Sequence, residues 1–434
     1  MRGDRLLLVS LSDNTAEMEE LAGGLGYEIL GRAFFNRDNP HPRTYVGPGQ
    51  AESLLDHPEF KRAHRVLVNA DLSSRHFFNL ERLLGKEVMD RIMLILEIFA
   101  QRSHSREADL QVELARLRFQ MPVLREWVHM ARTGERPGFL AGGEYQVSQY
   151  YELVQKRERK IERELEKIRI QRTTRRSGRA KSGFYTVSLG GYTNSGKSTL
   201  LRSMTGADVA VEDGLFTTLS TTTRRTEGKK MPLLISDTVG FFRDLPPWLI
   251  EAFRSTLEAI YQADLVLLVL DVSEDVDTVL RKVGDGLDIL SHGNRVSNMV
   301  VVLNKADLLS RARLDSRVMS ITSDPRWPAM WEDAGFADPP PVVCLSARDG
   351  DGLPELGDAM IRAMPDARPH RARAGWEHFA PLQHWLMENA IVTGFREPID
   401  DEDGQITFRI RDHMVRTLMS RWKGTDVRIT PLDE

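Results

Sequence analysis

One eight-residue segment restricts what this chain can become more than any other. Gly191-Tyr192-Thr193-Asn194-Ser195-Gly196-Lys197-Ser198 has the spacing G-x-x-x-x-G-K-[ST]. It follows a strand-like run at 184–189 (FYTVSL) and precedes a helix-like run from Ser198 to Met204. That strand-loop-helix context separates a phosphate-binding loop from a chance match. The glycines let backbone N–H groups turn inward around a phosphate, and the helix N-terminus adds positive potential. Lys197 can bridge the terminal phosphate oxygens, Ser198 can give a hydroxyl to Mg²⁺, and Thr199 completes the cradle.

Three further segments turn the motif into a set. Asp237-Thr238-Val239-Gly240 follows the apolar run Leu233-Leu234-Ile235. A carboxylate at such a strand end can hold Mg²⁺ through water, and the Gly240 N–H can meet a γ-phosphate. Asn304-Lys305-Ala306-Asp307 follows the apolar run from Met299 to Leu303. The Asp307 carboxylate can accept from guanine N1–H and N2–H₂, which adenine lacks, so this element selects GTP over ATP. Ser346-Ala347 follows a strand from Val342 to Leu345 and can direct a backbone N–H at guanine O6. Between the loop and Asp237 lies LFTTLSTTTR at 215–224. Thr218, or else Thr217, is the expected second hydroxyl ligand of Mg²⁺ when γ-phosphate is present.

Two residues bear on mechanism. Phe241 stands directly after Gly240, where a glutamine could orient an attacking water; phenylalanine cannot, so unaided hydrolysis should be slow. Asn194 could help hold a monovalent cation such as K⁺, or could simply stabilise the loop.

The rest of the chain supplies the setting. At 434 residues it is too long for one core. With 28% charged and 41% hydrophobic residues and a formal charge of −4, it reads as a soluble globular protein whose composition gives no hint of nucleic acid. Cys344 is the single cysteine, which excludes an intramolecular disulfide. No apolar run approaches the ~20 residues needed to span a bilayer, and Leu6-Leu7-Leu8-Val9 is too short for an export signal. A cytoplasmic monomer is the expectation.

Strand-like runs at 5–10, 27–30 and 65–69 alternate with helix-like segments near 14–24, 49–56 and 74–84. This suggests a parallel α/β domain over 1–92. Gly47-Pro48-Gly49 reads as a turn. From 93 to 182 the pattern is helical. Leu110, Leu114 and Leu117 form one stripe; Val147, Tyr151, Val154, Glu158, Ile161, Leu165 and Ile168 form another, with one charged interruption. Two such seams predict an antiparallel hairpin with its tip near 132–146. Lys167 to Lys181 holds seven Lys or Arg residues and no acid, either a solvated helix end or an RNA contact. The nucleotide domain is expected over 183–368, a linker from Pro365 to Ala374, and a small α+β domain over 369–434. The expected class is therefore α/β: a mostly parallel P-loop domain, an α/β domain with a hairpin before it, and a small α+β domain after.

Beyond these motifs, several stretches resemble the HflX family of ribosome-associated GTPases. They are Asn69 to Arg75 (NADLSSR), Leu110 to Ala115 (LQVELA), Leu215 to Arg224, Asp237 to Pro246 (DTVGFFRDLP) and Ala252 to Glu258 (AFRSTLE). The resemblance covers about 1–310. It implies binding to the large ribosomal subunit and its RNA, and a role in splitting or rescuing stalled ribosomes. One departure concerns the hairpin tip, where bacterial members have G-x-R-G-P-G-E. This chain reads Gly138-Phe139-Leu140-Ala141-Gly142-Gly143-Glu144, without the Arg and Pro. Two other readings fit a P-loop with an asparagine: a GTPase of tRNA modification, and a slow GTP-gated RNA-binding scaffold.

Overall fold

The computed structural model describes residues 3–37, 39–103, 105–132, 144–181, 185–206, 222–225, 233–237, 240–241, 248–249, 254–291, 298–364, 367–400 and 402–432; at 126–132, 144–148, 172–181, 222–225 and 254–256 it describes the backbone alone. Thr217, Thr218, Thr238, Val239 and hairpin-tip residues 133–143 lie outside this set. The chain divides into two compact units, one built on Met1–Ile168 and the other on described residues from Arg169 onward.

The first unit opens with β1 (Arg5–Ser10), α1 (Ala16–Gly24), β2 (Glu28–Phe34), α2 (Pro48–Ser53), β3 (Arg65–Val68), α3 (Ser74–Leu84), β4 (Glu87–Met89) and α4 (Arg91–Arg102). The strands form a sheet in the order β2-β1-β3-β4, every pair parallel. A strand buried on both faces has no polar side, and Leu6, Leu7 and Leu8 are all fully buried. Leu7 and Val9 pack with Ala51 of α2 and Phe77 and Leu80 of α3. Asp90 caps α4 through Met93 N–H (2.7 Å) and also accepts from Leu72 N–H (3.1 Å). Burial pushes its carboxyl up to about 7 against the pull of those donors.

Next come α5 (Arg106–Arg132) and α6 (Glu144–Lys181). Leu110 and Leu114 pack against Ile161, with Leu117, Leu165 and Ile168 around them, so the two sequence stripes meet. The charged interruption has a partner: Arg118 donates to Glu158 at 3.2 Å and to Glu162 at 3.0 Å. Arg157 forms a two-pronged pair with Glu113 at 2.6 and 2.7 Å.

The nucleotide domain contains β5 (Tyr185–Gly190), α7 (Lys197–Thr205), β6 (Thr222–Arg225), β7 (Leu233–Asp237), α8 (Arg254–Tyr261), β8 (Leu265–Asp271) and α9 (Val276–Ser291). It continues with β9 (Met299–Asn304), α10 (Arg311–Thr322), α11 (Arg326–Asp333), β10 (Val342–Cys344) and α12 (Leu353–Ala363). The sheet order is β10-β9-β8-β5-β7-β6, parallel except for the antiparallel edge strand β6. β8 and β9 are buried along their whole length, as strands covered on both faces must be.

The stretch expected as a linker is not one. Ala367–Ala374 is β11, an interior strand of a second antiparallel sheet that also holds β12 (Ile391–Arg396), β13 (Gly404–Arg411) and β14 (Arg428–Pro431). With α13 (Trp376–Asn389) and α14 (Asp412–Arg421) the order is β-α-β-β-α-β, in the spatial order β12-β13-β11-β14. The reading failed because Ala372 and Ala374 carry the buried face with little apolar area, while arginines alternate between them. This sheet is tied to the nucleotide domain: Arg411 lies 4.3 Å over the Tyr185 ring and pairs with Asp264.

Candidate functional site

Because β5, β7, β8, β9 and β10 run parallel, their carboxyl ends share one edge of the sheet, where α/β folds bind ligands. The four sequence segments are the continuations of β5, β7, β9 and β10 at that edge. The phosphate-loop backbone could take few other residues. Gly191 has φ 139° and its missing Cβ would strike the Val269 carbonyl. Gly196 has φ 91°, with the Asn304 amide in the same place. Gly240 lies so close to Thr193 that a Cβ would sit 2.7 Å from Thr193 Cγ2 and 2.9 Å from its N. That contact brings the β7 continuation onto the phosphate loop.

Lys197, at the start of α7, is buried and donates to the carbonyls of Gly191 (2.9 Å) and Tyr192 (2.6 Å). Burial pushes its ammonium down to about 8, although Asp237 pulls the other way. Ser198 Oγ donates to Asp237 Oδ2 at 2.7 Å, and both residues are buried. A hydroxyl and a carboxylate side by side form the oxygen-only donor set that suits Mg²⁺, a hard cation that keeps waters and takes few protein ligands. Ser195 Oγ is buried without a hydrogen-bond partner among the described residues, an orphan in the wall of the cradle. Thr193 and Thr199 are half-buried. Asn194 is exposed with φ 59°, a left-handed conformation that asparagine tolerates better than most residues.

Asn304 braces the site rather than facing outward. Its Nδ2 donates to Ser195 O (2.8 Å), and its Oδ1 accepts from Ala347 N–H (2.9 Å). The Ser346 N–H donates to Asp351 O at 3.0 Å, and Ser346 Oγ exchanges hydrogen bonds with Asp349. The Ser346 and Ala347 N–H groups, one of them expected at guanine O6, thus each donate to an oxygen of the protein here. Asp307, in the short 3-10 turn Ala306–Leu308, is exposed. Lys305 has φ 65° and pairs with Asp271 at 2.7 Å. Burial of Asp271 is outweighed by hydrogen bonds from Lys305 and Ser273, which hold its carboxyl below the ordinary range. Asp271 went unread in the sequence, although an acid closing the apolar run Leu265 to Leu270 is the same signal that marks Asp237.

Two side chains turn away from the edge. Tyr192 donates its hydroxyl to Asp285 of α9, with Lys282 Nζ 5.2 Å from its ring centre. Phe241 is 2% exposed and packs in the core with Tyr192, Leu268 and Val283. Its N–H donates to Gly191 O at 2.9 Å, stitching the two loops together.

Comparison with known proteins finds three family matches in succession along the chain. A family described as GTP-binding GTPase N-terminal matches residues 12–100, one described as GTP-binding GTPase Middle Region matches 102–179, and one described as 50S ribosome-binding GTPase matches 186–305. The GTPase HflX of Thermococcus kodakarensis is 41% identical over 350 residues, covering 80% of this chain and 77% of that one. The GTPase HflX of Thermofilum pendens is 35% identical over 391 residues, 90% and 88% of the two chains. That of Escherichia coli is 34% identical over 410 residues, 92% and 89%. Among solved structures, a GTP-binding protein from Sulfolobus solfataricus in complex with GDP aligns with a TM-score of 0.45 at 24% identity, over 83% of this chain and 98% of that one. A phosphate loop braced by Asn304, the three consecutive matches and relatives alike over most of their length lead to one conclusion: the chain belongs to the HflX family of P-loop GTPases.

Proposed function

We propose that this GTPase is gated by the large ribosomal subunit, hydrolysing GTP slowly alone and faster when bound, and that it serves to split or rescue stalled ribosomes in the cytoplasm. The observation that carries the reading is Phe241, whose side chain is sealed in the core. It cannot orient an attacking water, so another group must do so before the chemistry becomes fast. The match of residues 186–305 to a 50S ribosome-binding GTPase supports the large subunit as the source of that group.

In this reading Lys197 leaves the carbonyls of Gly191 and Tyr192 for the β/γ-phosphate oxygens, and the amides of residues 191–199 line the phosphates. Ser198, Asp237 and Thr218 would hold Mg²⁺, which spreads the developing charge on the phosphates when bound. Gly240 gives its N–H to the γ-phosphate. Asp307 reads the guanine edge, while Asn304 and Lys305 keep that reader in place through Ser195 and Asp271. Asn194 remains the candidate for a monovalent ion such as K⁺. The hairpin tip and the basic run at the end of α6 would contact ribosomal RNA.

Co-sedimentation with purified large subunits in GDP and in a non-hydrolysable GTP analogue tests this. Binding should favour the GTP analogue and weaken steeply with salt, as phosphate contacts do. Equal recovery in both nucleotides, or none in either, would sink the gating claim.

A further inference from the structure

The C-terminal sheet has two unlike faces. Ala372, Ala374, Val392, Ile406, Phe408 and Ile410 point into a core with Leu382, Leu386 and Leu418 of the two helices. Residues that alternate with them point the other way. Register places Arg396 opposite Gln405, Gln405 opposite Arg373, and Arg373 opposite Arg428. One row across all four strands thus carries three arginines and a glutamine. The next row sets Thr407 opposite Arg371, and Arg371 opposite Thr430.

Like charges directly opposite one another destabilise a sheet, yet Arg373 and Arg428 are such a pair and both are exposed. Among the described residues neither of them, nor Arg371, is in an ion pair; Arg396 has Glu402 at 3.6 Å. Arg371 Nε is buried without a hydrogen-bond partner among the described residues. The sheet end that carries this row also presents aromatic surface. Trp376, 65% exposed, opens α13 beside this end and donates from its indole to Asp400 O in the loop joining β12 to β13.

We propose that the exposed end of this face, away from Arg411 and the nucleotide domain, binds single-stranded RNA, its backbone crossing the arginine row and a base stacking on Trp376 at the adjoining start of α13. The cations suit phosphate, and the exposed indole offers a base a stacking platform. A β-α-β-β-α-β sheet reading RNA on its open face is an established use of this topology. Here arginine, glutamine and threonine occupy the central strands, so affinity should come from backbone contact and show little sequence preference. The residues of this surface are none of those in the hairpin or the basic end of α6, and the inference stands whether or not those contact the ribosome.

The test uses the full chain and a fluorescent unstructured oligoribonucleotide across a salt series. Three variants are compared with the parent: R371Q/R373Q/R428Q, Trp376→Ala, and charge reversal of Arg172, Arg175 and Arg176. Thermal melting and GTP binding serve as fold controls. Each phosphate contact on a single strand contributes about 0.7 to the slope of log affinity against log salt. The triple variant should therefore weaken binding at least tenfold and flatten the slope by about 2. Trp376→Ala should weaken binding several-fold with the slope unchanged. Charge reversal at 172–176 should leave a component of binding that R371Q/R373Q/R428Q removes. If the triple variant folds, binds GTP and keeps the parent's RNA affinity and slope, the inference is wrong. If polyglutamate displaces the RNA at matched charge concentration, the face is a docking site for an acidic protein instead.

Discussion

At the scale of single residues, the site is governed by what burial does to charge. Lys197 is held in a dry wall with its ammonium pushed down to about 8. Its protonated form must meet the phosphates, whose second ionisation is complete well below that pH. GTP affinity should therefore be flat up to about pH 8 and then fall, approaching tenfold per unit; a flat titration from pH 7 to 9.5 would contradict the account. In the empty protein the sign is opposite. A lysine whose folded value lies below its unfolded one gains stability as pH rises from about 8 toward the ordinary lysine value. Lys197→Ala removes two or more charge-assisted hydrogen bonds to phosphate, at roughly 1.5–3 kcal/mol each, so GTP binding should weaken at least ~100-fold. Retained sub-micromolar affinity would overturn the assignment. Asp307→Asn tests the base reader separately: its amide can donate to the xanthine carbonyl, so preference should shift from GTP toward XTP. An unchanged GTP-to-XTP ratio would remove Asp307 from that role. Asn304 corrects a simple reading of its motif. It spends both ends of its amide joining Ser195 to Ala347, which no linear pattern reveals.

At the scale of elements, what could be read in the sequence follows apolar area. β1, β8 and β9 are nearly continuous Leu/Val runs and stand out in the sequence, as do the two stripes of α5 and α6. The missed strands lack that signal. β4 has three residues, β6 reads Thr-Thr-Arg-Arg on a sheet edge, and β11 buries alanines between arginines. For the same reason the arginine face of the C-terminal sheet was invisible: its residues come together only through strand register. The site segments were legible because each sits where a strand-like run stops at an acid, an amide, a serine or a glycine. Asp271 satisfied that criterion and was passed over because no motif names it. The hairpin offers a quantitative contrast. Ile161 is fully buried between the helices, whereas the Arg157–Glu113 pair is only half-buried. Ile161→Ala should lower the opening free energy of α5 and α6 by about 2–5 kcal/mol in hydrogen exchange. Arg157→Ala should lower it by less than about 1 kcal/mol. Equal effects would mean that the seam is not what holds the pair.

At the scale of the whole molecule, the chain joins a nucleotide domain to an α/β unit before it and an antiparallel sheet after it. The boundary between its two compact units falls inside α6, between Ile168 and Arg169, at the start of the basic run. Among the described residues no helix is long and apolar enough to cross a membrane. The central claim is that Phe241 leaves catalysis incomplete until a partner positions the water. Single-turnover GTP hydrolysis, measured with and without saturating large ribosomal subunits, tests it most directly. The account predicts slow hydrolysis by the free protein and at least a tenfold acceleration on the subunit, lost when Arg172, Arg175 and Arg176 are reversed in charge. Equal rates with and without subunits would contradict it.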